Sequence, residues 1–297
     1  MTDQELGPGE RGRIVGQLAA GEDRPAIEIA LRQARRRVLA GELALLLHAD
    51  HRPEVPGEVR ARQQTERLTR LAAGRLKRFV FRLETRAGPR IVKISEVVSL
   101  GNRLSGLLGS SNARREHQYQ AQAQTLGLAA TETKGYLELR EGPWLRRACQ
   151  IQTVLDGDRP TLDSFLAEEY PRFGDEAIVR LAEAFAQTHR RRFFHGDLKG
   201  FHAFPTNLQR PPEQAASYEL QWLDLGRVGF RLSRRQRIIN LYQMFRFVLP
   251  QTPEVQANFI QAYCRHTGWW AHRPKRALAR VRRFLQHKLR THPDPFL

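Results

Sequence analysis

Phe193-Phe194-His195-Gly196-Asp197-Leu198-Lys199-Gly200-Phe201-His202, followed by Trp222-Leu223-Asp224-Leu225-Gly226, decides how this chain is read. Each stretch sets one acid, Asp197 or Asp224, between apolar and glycine neighbours. Phosphoryl transfer needs two such carboxylates from separate segments: one orients the hydroxyl nucleophile, the other carries the metal that bridges the phosphates of ATP. Asp197 and Asp224 suit those two roles. The helical pattern of Ala177 to Arg190 leads directly into the first loop.

Working outward, two further residues stand in the order a kinase requires. Lys93 lies in the short apolar run Ile91-Val92-Lys93-Ile94, and Glu116 lies in a helical segment about two dozen residues later. Lys93 would hold the α- and β-phosphates of ATP as a point charge, and Glu116 would pair with it and fix its direction. Asp197 would accept or orient the attacking hydroxyl. Lys199, two residues on, would stabilise charge on the transferring group. Asp224 is a hard oxygen ligand suited to Mg²⁺. Each of these residue types alone is commonplace; their joint order is what carries the kinase reading. His195 is expected to be structural, hydrogen-bonding the loop backbone so that the Asp224 loop stays in register.

Two positions depart from protein kinases. Five residues after the catalytic Asp, protein kinases place an Asn that helps to hold metal, and this chain has His202. Mg²⁺ prefers oxygen, so His202 would donate to a phosphate oxygen, sit behind the metal's own ligands, or bind a softer ion such as Mn²⁺. Gly196 stands where protein kinases commonly have an Arg that receives an activation-loop phosphate, which argues against that mode of regulation. After Asp224 the chain runs promptly into a helical pattern around Arg237 to Phe247, leaving little room for a peptide-docking segment. A phosphate-covering loop is sought at Leu71 to Lys77. It offers one glycine with Arg75 and Lys77 as cations rather than a Gly-x-Gly-x-x-Gly signature, so those side chains are candidate phosphate contacts or a plain basic turn.

Composition sets the limits. A chain of 297 residues with 41% apolar content can bury a sizeable core. No apolar run suits a membrane span and the start lacks the basic region of a secretory signal, so a cytoplasmic protein is expected. Cys149 and Cys264 form neither a disulfide framework nor a zinc spacing. The net charge is +18; the first 70 residues hold 12 Lys/Arg against 11 Asp/Glu, so about +17 belongs to the rest. Such a field suits nucleic acid, an anionic membrane face or a phosphorylated substrate, and argues against a polycationic substrate such as an aminoglycoside.

The pattern predicts an α+β, protein-kinase-like bilobal fold. Residues 1–57 would form a poorly ordered lead and an amphipathic N-terminal helix, 58–155 a small antiparallel-sheet lobe with one helix, and 156–297 a mainly helical lobe. No structure is assigned to the first 25 residues. From Ala26 to Ala49 apolar residues recur at helical spacing, for a helix that either docks on its own protein or lies on a membrane. His51 to Gly57 reads as a linker. Arg78 to Leu83 and Ile91 to Ile94 predict a hairpin, Ala113 to Leu126 a helix, and Thr133 to Arg140 and Ala148 to Val154 two more strands.

On these residues the chain resembles the lipopolysaccharide kinases of bacteria, in particular the core heptose kinases of the WaaP/InaA type, over roughly residues 68 to 290. His195-Gly196-Asp197 with His202 resembles that family's His-x-Asp followed by His. Asp224-Leu225-Gly226-Arg227 is similar to its metal loop, Asn240 to Phe245 to its Asp-Leu-Ala-Gln-Leu-Tyr helix, and Phe259 to Tyr263 to its Phe-x-x-x-Tyr helix. Gly196, Asn240 in place of Asp and the extra helix at 26–49 are departures. The resemblance implies transfer of the γ-phosphate of ATP to a sugar hydroxyl of the lipopolysaccharide inner core, a heptose, at the inner face of the cytoplasmic membrane, with Mg²⁺ or Mn²⁺ as metal. The partners implied are the anionic glycolipid itself and an anionic membrane surface; nucleic acid is not favoured, and the oligomeric state is unread. Two other readings remain: a pseudokinase serving as an anion-binding scaffold, and a nucleic-acid-associated kinase prompted by Arg273, Lys275, Arg276, Arg280, Arg282, Arg283, Lys288 and Arg290 near the C-terminus.

Overall fold

The computed structural model describes residues 13–43, 45, 57–72, 78–97, 111–155, 159–209 and 214–291. Two compact units result: one runs to Ala121 and resumes over Thr131–Gly157, the other comprises Gln122–Ala130 and everything from Asp158 onward.

The first unit is built on a five-stranded sheet of β1 (Arg13–Leu18), β2 (Arg78–Thr85), β3 (Gly88–Glu96), β4 (Thr133–Glu141) and β5 (Trp144–Thr153). Its order is β1-β4-β5-β3-β2, with every neighbouring pair antiparallel. Alternation along β2 buries Phe79, Phe81 and Leu83 on one face. Strand β1 occupies residues to which the sequence assigned no structure. Gly16 on β1, opposite Leu137, and Gly135 on β4, opposite Leu18, allow the two strands to approach so closely that a Cβ on either would strike the other strand's backbone.

Helix α1 (Arg24–Leu39) lies on that buried face. Asp23 caps it by accepting from the Ala26 N–H at 3.2 Å, and Gly41, at φ +76°, follows its end. Ile27, Ala30, Leu31, Ala34 and Val38 are buried with Phe79, Phe81, Val92, Ile94, Leu137, Leu139, Cys149 and Ile151. Of the two places open to this helix, it takes the one on its own protein. It stops at Leu39 rather than Ala49, and Leu45 instead bridges to Phe81. Arg35 and Arg147 both reach Glu96, at 2.8 and 3.3 Å, which ties helix to sheet. Leu31 is fully buried, so Leu31→Ala is expected to destabilise the protein by about 2–5 kcal/mol. A thermal midpoint unchanged by that substitution would show that α1 does not belong to the core.

Helix α2 (Gly57–Ala72) is polar nearly all round, with Leu68 partly buried against the same core. Helix α3 (Asn112–Thr125) places Ala113 against Leu145 and Ala148. The second unit comprises α4 (Leu162–Phe173), α5 (Asp175–Arg190), two small hairpin-like pairs, and α6 (Arg234–Phe247), α7 (Pro253–Thr267) and α8 (Pro274–Thr291). The pairs are β6 (Phe194–His195) with β9 (Val228–Gly229), and β7 (Ala203–Gln209) with β8 (Ser217–Trp222). Its aromatic core of Phe185, Phe193, Trp222, Phe245, Phe259 and Tyr263 sits beneath these pairs. Both acid loops spring from this rigid floor.

Candidate active site

In the first unit, strand alternation sends Val92 and Ile94 towards α1 and Lys93 to the opposite face. There α3 supplies Glu116, with Lys93 Nζ 3.9 Å from Glu116 Oε2. The carboxylate is 5% exposed and the lysine side chain 21%. The expected strand–helix pair is therefore present, and it is long enough to leave ammonium donors for another anion.

In the second unit His195 joins the two acid loops. Its Nε2 lies 2.8 Å from the Leu223 carbonyl and must donate to it, while its Nδ1 faces the Asp197 N–H at 3.4 Å and accepts. Both contacts are satisfied together only by the neutral tautomer with hydrogen on Nε2. One buried imidazole thus fastens the residue before Asp224 to the backbone of Asp197. Asn240 on α6 clamps the other side: its Oδ1 accepts from the His195 N–H at 3.2 Å and its Nδ2 donates to the His195 carbonyl at 2.5 Å. Gln243, one turn on, donates to the Gly196 carbonyl at 3.1 Å.

Gly196 has a steric reason of its own. Its N–H donates to the Arg227 carbonyl at 2.6 Å, and an added Cβ would collide with that same oxygen. No side chain fits at this position, so an arginine for loop regulation is ruled out by packing as well as by sequence. Gly200 is likewise pressed against Asp163 of α4.

The Asp197 carboxylate is 37% exposed, with Lys199 Nζ 3.8 Å away and a further 5.6 Å from the Phe201 ring. Asp224 adopts the left-handed conformation at φ 52°, ψ 63°, which costs a residue with a Cβ about 1–3 kcal/mol and is characteristic of functional sites. His202 is 5% exposed, and its Nδ1 lies 2.6 Å from the Asp197 carbonyl. Its pKa falls to about 4: burial is the main cause, His195 and Lys199 add to it, and Asp224 and the Asp197 carbonyl oppose it. A neutral His202 whose Nδ1–H is committed to Asp197 has only an acceptor lone pair left on Nε2. Donation to a phosphate oxygen, one of the roles open in the sequence, is therefore not available to it.

Among the described residues no group of three or more His, Cys, Asp and Glu could cage a metal ion. Asp224, through its carboxylate, and His202, through the lone pair on Nε2, are the described residues that could share an ion with nucleotide phosphates and water. Arg75 and Lys77 lie outside the described residues.

A further network was not legible in the sequence. His189 on α5 meets Asn240 Oδ1 through Nε2 at 3.2 Å and the Tyr263 hydroxyl through Nδ1 at 2.7 Å, and Arg237 donates to that hydroxyl at 2.5 Å. The partners lie 51 and 74 residues from His189. A helical histidine at the end of an apolar stripe gives no local sign of such distant contacts. Burial, helped by the Arg237 charge, holds His189 neutral with a pKa of about 3. Both histidines are thus neutral in the fold and titrate near 6.5 once unfolded, so acid favours the unfolded chain. Stability is fully present above pH 6.5 and is lost as pH falls towards 4, by about 1.4 kcal/mol per pH unit for each histidine. Thermal unfolding scanned between pH 7 and 5 checks this; a flat midpoint across that window would refute it.

A sheet carrying a lysine–glutamate pair and a helical unit carrying two interlocked acid loops define a protein-kinase-like fold. The solved structure of WaaP in complex with acyl carrier protein is similar to this chain, with TM-score 0.50 and 18% identity over 73% of this chain and 86% of that one. At such identity the likeness shows the fold, mixed α and β with an antiparallel sheet plus helices, as expected from the sequence. No protein-family model and no curated protein matches the chain.

Proposed function

We propose that the protein is an ATP-dependent kinase that phosphorylates a sugar hydroxyl of the lipopolysaccharide inner core, a heptose. The observation that carries this is the His195 bridge, which holds the backbone of the Asp197 loop and that of the Asp224 loop in one fixed relation. Holding groups in fixed relation is most of what phosphoryl transfer asks of a protein.

Asp197 receives the hydrogen bond of the acceptor hydroxyl and orients its oxygen. Lys199, 3.8 Å from that carboxylate, offers its charge to the transferring group. Lys93, aimed by Glu116, holds the α- and β-phosphates. Asp224 and the His202 Nε2 would hold a divalent cation, which when bound would supply charge neutralisation at the phosphates. The short path from Arg227 to the Ser233 cap of α6 favours a small or saccharide acceptor over a docked peptide. The basic second unit suits an anionic glycolipid at a membrane face, and no described helix is long and apolar enough to cross a membrane.

Transfer from γ-labelled ATP to rough lipopolysaccharide, dephosphorylated core and free sugars, with the modified position read by mass spectrometry, tests the reading. Label on an inner-core heptose is expected. Label on protein alone, or equal transfer by Asp197→Ala, would overturn it. The His202 lone pair adds a second expectation, since nitrogen favours Mn²⁺ over Mg²⁺. His202→Asn should lower the ratio of Mn²⁺- to Mg²⁺-supported rate by roughly tenfold. An unchanged ratio would remove His202 from the cation's ligands.

A further inference from the structure

From Leu225 to Thr291 the chain carries fifteen Lys and Arg against a single acid, Glu254. Counter-charge for this region cannot come from within it. The excess is focused where the start of α6, the turn after α7 and the first half of α8 meet, around a cleft of about 450 Å³ lined by Arg234, Trp270, His272, Arg273, Arg276 and Arg280. The four arginines make no ion pair among the described residues; Arg234 instead stacks over Trp270 at 4.9 Å.

The cleft has a built floor. Trp270 is held at φ 53°, the left-handed region that a bulky side chain rarely enters, and lies flat on Trp269 with centroids 5.0 Å apart and planes 7° from parallel. Arg237 covers Trp269 at 5.4 Å and is fixed in turn by Tyr263. A second cleft of about 710 Å³ shares Arg234 and Arg280 and is floored by Ile238 and Phe284.

We propose that the arginine cleft is a binding site for a phosphate group carrying two charges, distinct from the site of transfer. Guanidinium forks match phosphate oxygens two at a time, and four of them without a carboxylate among them call for a multivalent anion rather than a single carboxylate. The volume is that of a small-ligand site. The two sources of such a phosphate are free solution and the head of a lipid whose apolar part follows Ile238 and Phe284; the chemistry at the arginines is the same.

The full-length chain is titrated with inorganic pyrophosphate at physiological ionic strength, read by calorimetry and tryptophan emission. It is separately sedimented with phosphatidylcholine vesicles containing phosphatidic acid. Arg276→Gln with Arg280→Gln is expected to weaken whichever binding is seen by at least about tenfold, as loss of two charge-assisted contacts requires. Lys288→Gln with Arg290→Gln removes the same charge at the far end of α8 and should leave binding within about twofold. Saturable pyrophosphate binding without vesicle binding identifies a soluble phosphate. Vesicle binding that pyrophosphate displaces identifies a lipid-borne one. Equal weakening by the two double variants, or no binding in either arm by a protein with unaltered circular dichroism, overturns the site. None of these readouts uses phosphoryl transfer, so failure of the proposed reaction leaves the result interpretable.

Discussion

Asp197→Asn is expected to lower turnover by about 10²–10⁴-fold, leaving the KM for ATP and the thermal midpoint nearly unchanged. The selectivity follows from how the loop is held. On the loop's own side, the hydrogen bonds described for residues 195 to 202 use backbone groups or the imidazoles of His195 and His202, with Asn240 and Gln243 as outside partners. Among the described residues the Asp197 carboxylate pairs with Lys199, at 3.8 Å and partly in solvent. Replacing its charge with an amide of the same shape therefore removes chemistry and leaves the scaffold. Single-turnover transfer with a saturating acceptor measures the effect. A variant that retains more than a tenth of the wild-type rate would show that Asp197 is not the group that orients the nucleophile.

Asn240→Ala should do the reverse, costing stability first and activity as a consequence. One amide serves His195 N–H, the His195 carbonyl, Gln243 and His189, all in a region that water does not reach. Each buried polar group left without its partner costs about 1–3 kcal/mol, and the losses overlap, so a total of about 3–5 kcal/mol is expected. For 297 residues unfolding together that is a fall in midpoint of roughly 5–8 °C. Asn240→Asp keeps both acceptor positions and loses the donors, so its loss should be smaller. It should also raise the pKa of His189, which now faces a carboxylate; proton NMR of the imidazole reports that shift. Equal midpoints for the Ala and Asp variants would mean that the clamp is not what holds the loop.

Residues whose signals are local were readable in advance. The β2–β3 hairpin declares itself by alternation and a Gly-Pro turn, and α3 and α5 by helical periodicity; the order of Lys93, Glu116, Asp197 and Asp224 along the chain marks them as candidates only, of which the Lys93–Glu116 pair is seen. Strand β1 was invisible because Arg-Ile-Val-Gly-Gln-Leu, with a central glycine, becomes a strand only by pairing with β4, more than a hundred residues away. Helix α2 was missed because a polar helix has no apolar stripe to reveal its period. The end of α1 was overrun because Leu43 and Leu45 are buried after the helix has stopped, and apolar spacing does not distinguish a last turn from a returning chain. The neutral state of His202 was equally hidden, since it depends on a carbonyl and on burial that only the folded loop supplies.

The fastening of the Asp197 loop bears on when its geometry is reached. His195, Asn240, Gln243, His189 and Tyr263 hold the loop through amide, imidazole and phenol groups, and the crowded Gly196 admits no side chain. A loop held in this way is in register as soon as the chain has folded, without a modification to order it.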